Sequence, residues 1–88
     1  MASKTVTVGS SVGLHARPAA LVAQAAGAYD DDILIRLAGT PAEDAVDAAS
    51  SLMIMTLGAG AGAEVTVESD NAEAVEEIAA LIEQDLDA

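Results

Sequence analysis

The chain reads as an α/β (α+β) protein, a two-layer sandwich of order βαββαβα with three helices on one face of a mostly antiparallel four-stranded sheet. Three observations predict it. Thr5 to Val8, Ile33 to Leu37 and Glu64 to Glu68 alternate with the two-residue period of a strand. Apolar residues after Ala19 and after Asn71 instead recur at helical spacing. These segments succeed one another along 88 residues, 52% of them hydrophobic, which is enough chain for one core and one domain over 1–88.

The first strand, Thr5-Val6-Thr7-Val8, points Val6 and Val8 inward and stops at Gly9-Ser10-Ser11. A loop from Ser10 to Gly13 leads into Gly13-Leu14-His15-Ala16-Arg17-Pro18-Ala19. Pro18 suits a first helical turn, where its missing N–H has no intrahelical partner, so a helix starts at residues 16 to 18. Leu21, Val22, Ala25, Ala26 and Tyr29 form its apolar stripe, and it ends near Gly27 to Tyr29. Asp30-Asp31-Asp32 prefers a solvated turn, because like charges at the negative end of a helix are unfavourable. Ile33, Ile35 and Leu37 then face the core from a second strand, which turns at Gly39-Thr40-Pro41.

Ala42 to Ala49 supports only a short edge strand, weakened by Asp44 and Asp47. Ser50-Ser51 caps a short apolar helix, Leu52 to Leu57, which stops at Gly58. Its apolar residues exceed what one buried face needs, so some of Leu52, Met53 and Met55 are expected on the surface. Gly58 to Gly62 is a small-residue loop that lacks the Lys-Ser/Thr pair of a nucleotide-binding loop. After the strand at Glu64 to Glu68, Asp70 and Glu73 have capping-box spacing for a last helix. Val75, Ile78, Ala79, Ile82 and Leu86 form its stripe, with Leu81 at the margin and Glu76, Glu77 and Glu83 in water.

Composition narrows the function. The absence of cysteine removes disulfides, thiolate nucleophiles and thiolate metal sites, and with the lack of a signal-peptide core or membrane span it fits a cytoplasmic address. Fifteen acidic residues against three basic ones, a net charge of -12, repel a phosphate backbone and disfavour nucleic acid. The acidic excess fits basic partners, and equally a soluble Ala-rich chain or a salty cytoplasm.

The chain's one histidine, His15, therefore stands out, two residues from Arg17. A helix N-terminus favours an anion and disfavours an imidazolium, which leaves a neutral ring nitrogen as a nucleophile. The amides at the helix N-terminus and the Arg17 guanidinium suit phosphate oxygens, without a cofactor or a metal. A serine-histidine-acid triad is not supported, since no Gly-x-Ser-x-Gly elbow accompanies Ser10, Ser11, Ser50 or Ser51. One histidine among scattered carboxylates has no metal-ligand spacing.

The segment from Gly13 to Ala19 resembles the active-site signature of the HPr family, the histidine-containing phosphocarriers of the bacterial phosphoenolpyruvate-dependent sugar phosphotransferase system. Ser51 to Gly58 resembles the short middle helix through which HPr proteins dock, and length and element order resemble the open-faced HPr sandwich. The resemblance implies a stoichiometric phosphocarrier, not an enzyme, in which Nδ1 of His15 accepts a phosphoryl group from phospho-enzyme I and passes it to the A domain of a sugar-specific enzyme II. It implies phosphate binding by Arg17 and the Ala16 and Arg17 amides, and partner docking by Leu14, Leu52, Met53 and Met55. Ser51 aligns with a serine that a kinase phosphorylates in some relatives, although an N-cap role explains it equally well. A regulatory HPr-like module that docks a transcription factor or enzyme is the alternative function. A monomer is expected, because a carrier offers one face to successive partners.

Overall fold

The computed structural model describes residues 2–9, 13–14 and 16–84. Within them the order is β1 (Ala2–Thr7), α1 (Ala16–Gly27), β2 (Ile33–Leu37), β3 (Val46–Asp47), α2 (Ser51–Thr56), β4 (Glu64–Ser69) and α3 (Ala72–Glu83), the βαββαβα order that the sequence predicts. The sheet runs β1-β4-β2-β3, and every pairing is antiparallel. Strands β1 and β2 therefore flank β4 and run parallel to one another, and α1 makes the crossover between them.

Register puts the β-branched residues on one face. Val6, Val65 and Leu37 lie in one row, and Val67 and Ile35 in the next. Helices α1 and α3 close this face with Val22, Ala26, Val75, Ile78 and Ile82, all buried. The opposite face is polar: Thr5 and Thr66 share a 2.8 Å hydrogen bond, and the Arg36 Nε donates to Glu68 at 3.0 Å while its Nη1 donates to the Thr40 carbonyl at 2.6 Å. One covered face and one polar face is the alternation expected of an antiparallel sheet.

Several elements depart from expectation. The first strand begins at Ala2, because β4 offers partners as far as Ser69, and Val8 stays buried just past its end. The proposed strand over Ala42 to Ala49 shrinks to Val46–Asp47, preceded by a 3₁₀ turn at Ala42–Asp44 that Pro41 introduces. Leu21 is 38% exposed rather than buried: α1 packs through Pro18, Ala19, Val22 and Ala26, a neighbouring stripe of smaller residues. Leu86 lies outside the described residues.

The caps are fixed by the structure. Of the Ser50-Ser51 pair it is Ser50 that caps α2, its Oγ accepting the Met53 N–H at 3.3 Å, and the cap of α3 shifts by one residue. Asn71, not Asp70, caps α3, its Oδ1 accepting the N–H groups of Glu73 and Ala74 at 3.0 and 3.2 Å. Asn71 also donates to Asp31 at 2.9 Å, which ties the acidic turn after α1 to the start of α3. Tyr29 makes a second tie there, its hydroxyl donating to Glu77 at 2.6 Å.

Two predictions follow from these contacts. Ser50→Ala and Asn71→Ala each lower stability by about 1 kcal/mol in urea unfolding, whereas Asp70→Ala and Ser51→Ala change it by less than about 0.5 kcal/mol. The hydrogen bond to Glu77, with partial burial and the charges of Glu77 and Glu73, raises the Tyr29 pKa from 10.0 to about 12. A group with a raised folded pKa keeps its proton longer in the folded than in the unfolded state, so stability falls as pH rises. The contribution is whole below pH 10 and is lost on the way to pH about 12. Thermal unfolding of Tyr29→Phe and the parent chain should therefore differ below this window and converge above it, and Tyr29, the chain's one aromatic residue, reports its own titration by absorbance.

Candidate functional site

The site begins with the packing of two loops. Gly13 has φ +80, a conformation that side chains with a Cβ rarely adopt, and a Cβ there would sit 2.5 Å from the Ala59 carbonyl oxygen. That close approach lets the Leu14 N–H donate to the Ala59 carbonyl at 2.8 Å. The second loop is pinned in turn to the end of β1: the Val8 N–H donates to Ala63 at 2.8 Å, and the Gly62 N–H returns a bond to Val8 at 3.2 Å. Gly9 donates to the Ile82 carbonyl at 3.0 Å, so the C-terminal turn of α3 joins the same cluster.

Leu14 was expected on a docking surface. It is only 4% exposed and belongs to the core, because the bond to Ala59 draws its backbone inward. Helix α1 opens two residues later, at Ala16, which places Pro18 third, still within the turn where an N–H would lack a helical acceptor. Ala16 and Arg17 are both exposed, and the first turn contains no acidic residue. In a chain of net charge -12, the positive end of this helix thus carries a cation and no carboxylate of its own. His15, the expected phosphoryl acceptor, lies outside the described residues, as do Ser10 and Ser11.

Helix α2 packs against α1 and runs through Gly58, φ +66, into the loop that holds Leu14. Its one fully buried residue is Ile54. Leu52 is 68% exposed, Met53 41% and Met55 37%, so the apolar surplus seen in the sequence faces outward. Ser51 is half-buried at the first position of α2, with the cap function already filled by Ser50. What sequence reasoning missed is the anchoring role of Ala59 and its glycine neighbours; alternating Gly and Ala was a signal for close backbone approach as much as for flexibility.

The family model described as the PTS HPr component phosphorylation site matches residues 2–84. The chain belongs to the HPr family. Its fold is similar to that of the phosphocarrier HPr from Bacillus anthracis, 37% identical over 92% of this chain and 95% of that one, with a TM-score of 0.80. HPr-C-His from Thermoanaerobacter tengcongensis is 31% identical over 100% of this chain and 98% of that one, at TM-score 0.85. Crh of Bacillus subtilis, a catabolite-repression protein that forms a domain-swapped dimer, is 35% identical over 93% of each chain at TM-score 0.66. The antiparallel HPr sandwich and a phosphocarrier role in the phosphotransferase system are thereby supported. Among the described residues, no helix is long and apolar enough to cross a membrane.

The loop contact makes a testable demand on Gly13. Gly13→Ala introduces both a strained φ and a clash with the Ala59 carbonyl, and is expected to lower stability by about 2 kcal/mol. Gly60→Ala, where an added Cβ meets nothing within 4 Å, serves as the control and should leave the unfolding midpoint nearly unchanged. Urea unfolding of both variants checks the pair.

Proposed function

We propose that the chain carries a phosphoryl group on His15, taken from phospho-enzyme I and handed to the A domain of a sugar-specific enzyme II. The observation that carries this reading is the start of α1 at Ala16, directly after the histidine, with exposed Ala16 and Arg17 and no acid in the first turn. The Nδ1 lone pair of neutral His15 attacks phosphorus, the bond from phosphorus to its donor on enzyme I breaks, and the electron pair stays with the donor. The first-turn amides and the Arg17 guanidinium hold the phosphoryl oxygens, charge-assisted contacts that gain strength as the group arrives. Transfer onward reverses these steps with enzyme II as the acceptor. The protein is then a stoichiometric carrier working in the cytoplasm as a monomer, with no cofactor or metal, and catalysis belongs to its partners.

Leu52, Met53 and Met55 form the docking surface for both partners in this reading. Ser51 at the head of α2 is the place where phosphorylation would set charge beside that surface and weaken docking. The likeness to Crh favours a second reading, a regulatory module that docks a transcription factor or enzyme through the same residues. Genes for enzyme I and sugar permeases beside the coding gene favour the first.

Incubation with phosphoenolpyruvate and enzyme I should place acid-labile phosphate on the pure protein and none on His15→Ala. Arg17→Lys should keep the parent's unfolding midpoint and slow transfer about tenfold, the loss of one bidentate charge-assisted contact. No transfer from a cognate enzyme I, or undiminished transfer to His15→Ala, overturns the reading.

A further inference from the structure

We propose that Met53 and Met55 are an oxidant-sensitive modification site, at which a peroxide converts their thioethers to sulfoxides and thereby weakens docking to enzyme I. The inference rests on the docking role given to α2 above and adds a chemical control of that face.

Helix geometry puts the two sulfurs where an oxidant reaches them. Successive residues are turned by about 100° around a helix. With Ile54 pointing straight into the core, Met53 and Met55 fall on its two flanks and Leu52 points outward, in accord with exposures of 41%, 37% and 68%. The chain has no cysteine, so no thiol intercepts the oxidant first.

The step balances. A sulfur lone pair attacks one peroxide oxygen, the O–O bond breaks as the S–O bond forms, and the departing hydroxide takes the transferred oxygen's proton to leave as water. Sulfur loses two electrons and hydrogen peroxide gains them. A dithiol reductase reverses the change, cleaving S–O to water as its two thiols become a disulfide.

Oxidation spares the helix and alters its surface. The supports of α2 involve no sulfur: Ser50 Oγ accepts the Met53 N–H, Thr56 Oγ1 donates to the Met53 carbonyl at 2.5 Å, and Ile54 fills the core. The sulfoxide oxygen is a strong acceptor on a formerly apolar, adaptable side chain, and an apolar partner face leaves it without a donor.

The protein is treated with hydrogen peroxide, the oxidant is removed, the modified residues are mapped by mass spectrometry, and phosphorylation by enzyme I is measured against protein concentration. Oxygen on Met53 and Met55, a rise of about tenfold in KM for the carrier (about 1.4 kcal/mol) and an unchanged thermal midpoint are expected. The double variant Met53→Leu/Met55→Leu, which keeps Met1, should show equal KM before and after peroxide, whatever its own starting value. Methionines 53 and 55 left unoxidised, an unchanged KM after their full oxidation, or a double variant that still loses docking overturns the proposal. Failure of the untreated protein to accept phosphate overturns the docking reading beneath it, and the proposal with it.

Discussion

The hydrogen bond from the Leu14 N–H to the Ala59 carbonyl is the contact on which the geometry of the site depends. It joins two loops far apart in sequence, and it forms only because Gly13 takes a left-handed φ and offers no Cβ to the opposing carbonyl. The loop on the other side is itself tied to Val8 at the end of β1. Burial of Leu14 then fixes the chain to the core immediately before α1 opens. The start of α1 is thus held to the sheet through its preceding loop as well as through its own buried stripe. A phosphoryl site built on backbone amides needs this, since amides aim only as well as their backbone is placed.

Much of this was legible in the sequence because it depends on local pattern. The start of α1 was readable from Pro18, which restricts both its own φ and the residue before it. Strands β2 and β4 and the end of β1 were readable from alternation, and the outward residues of α2 from an apolar count too large for one face. Choices between adjacent residues of the same chemistry were not readable. Ser50 and Ser51 are both competent caps, as are Asp70 and Asn71, and the residue chosen depends on where packing of Ile54 and Ala74 fixes the first turn. The Leu14 to Ala59 contact was invisible for a different reason. It is a tertiary pairing of backbones, and the alanine-glycine run that permits it looks the same as a flexible loop.

Electrostatics distributes the few cations with a purpose that composition alone does not convey. Lys4 reaches Glu76 at 3.3 Å, an exposed pair of small consequence, and Arg36 is committed to Glu68 and the Thr40 carbonyl on the polar face of the sheet. Arg17 stands exposed at the positive end of α1. Acidic residues gather instead around the far end of that helix, in Asp30 to Asp32 and along α3, where Asn71 and Tyr29 bind two of them. An anion therefore meets a favourable field at one end of α1 and a repulsive one at the other. Segregation of charge along one helix, rather than the net charge, decides where a phosphate can rest.

Helix α2 raises the sharper physical question, because six residues are too few for a helix to stand by itself. Its stability comes from three things: the Ser50 cap, burial of Ile54, and the left-handed turn at Gly58. Leu52 adds little to that, being 68% exposed, while Met53 and Met55 bury part of their surface and stay 41% and 37% exposed. A chain under selection for stability and solubility alone would place a polar residue at Leu52 at little cost. The apolar surface left exposed at Leu52, Met53 and Met55 is more than the fold requires, and it is what the docking role proposed above would use. The same loop that follows α2 holds Leu14, so the exposed face of α2 and the start of α1 are kept in one frame. On the proposed reading, a partner seated on α2 would meet the start of α1 without any movement of the core.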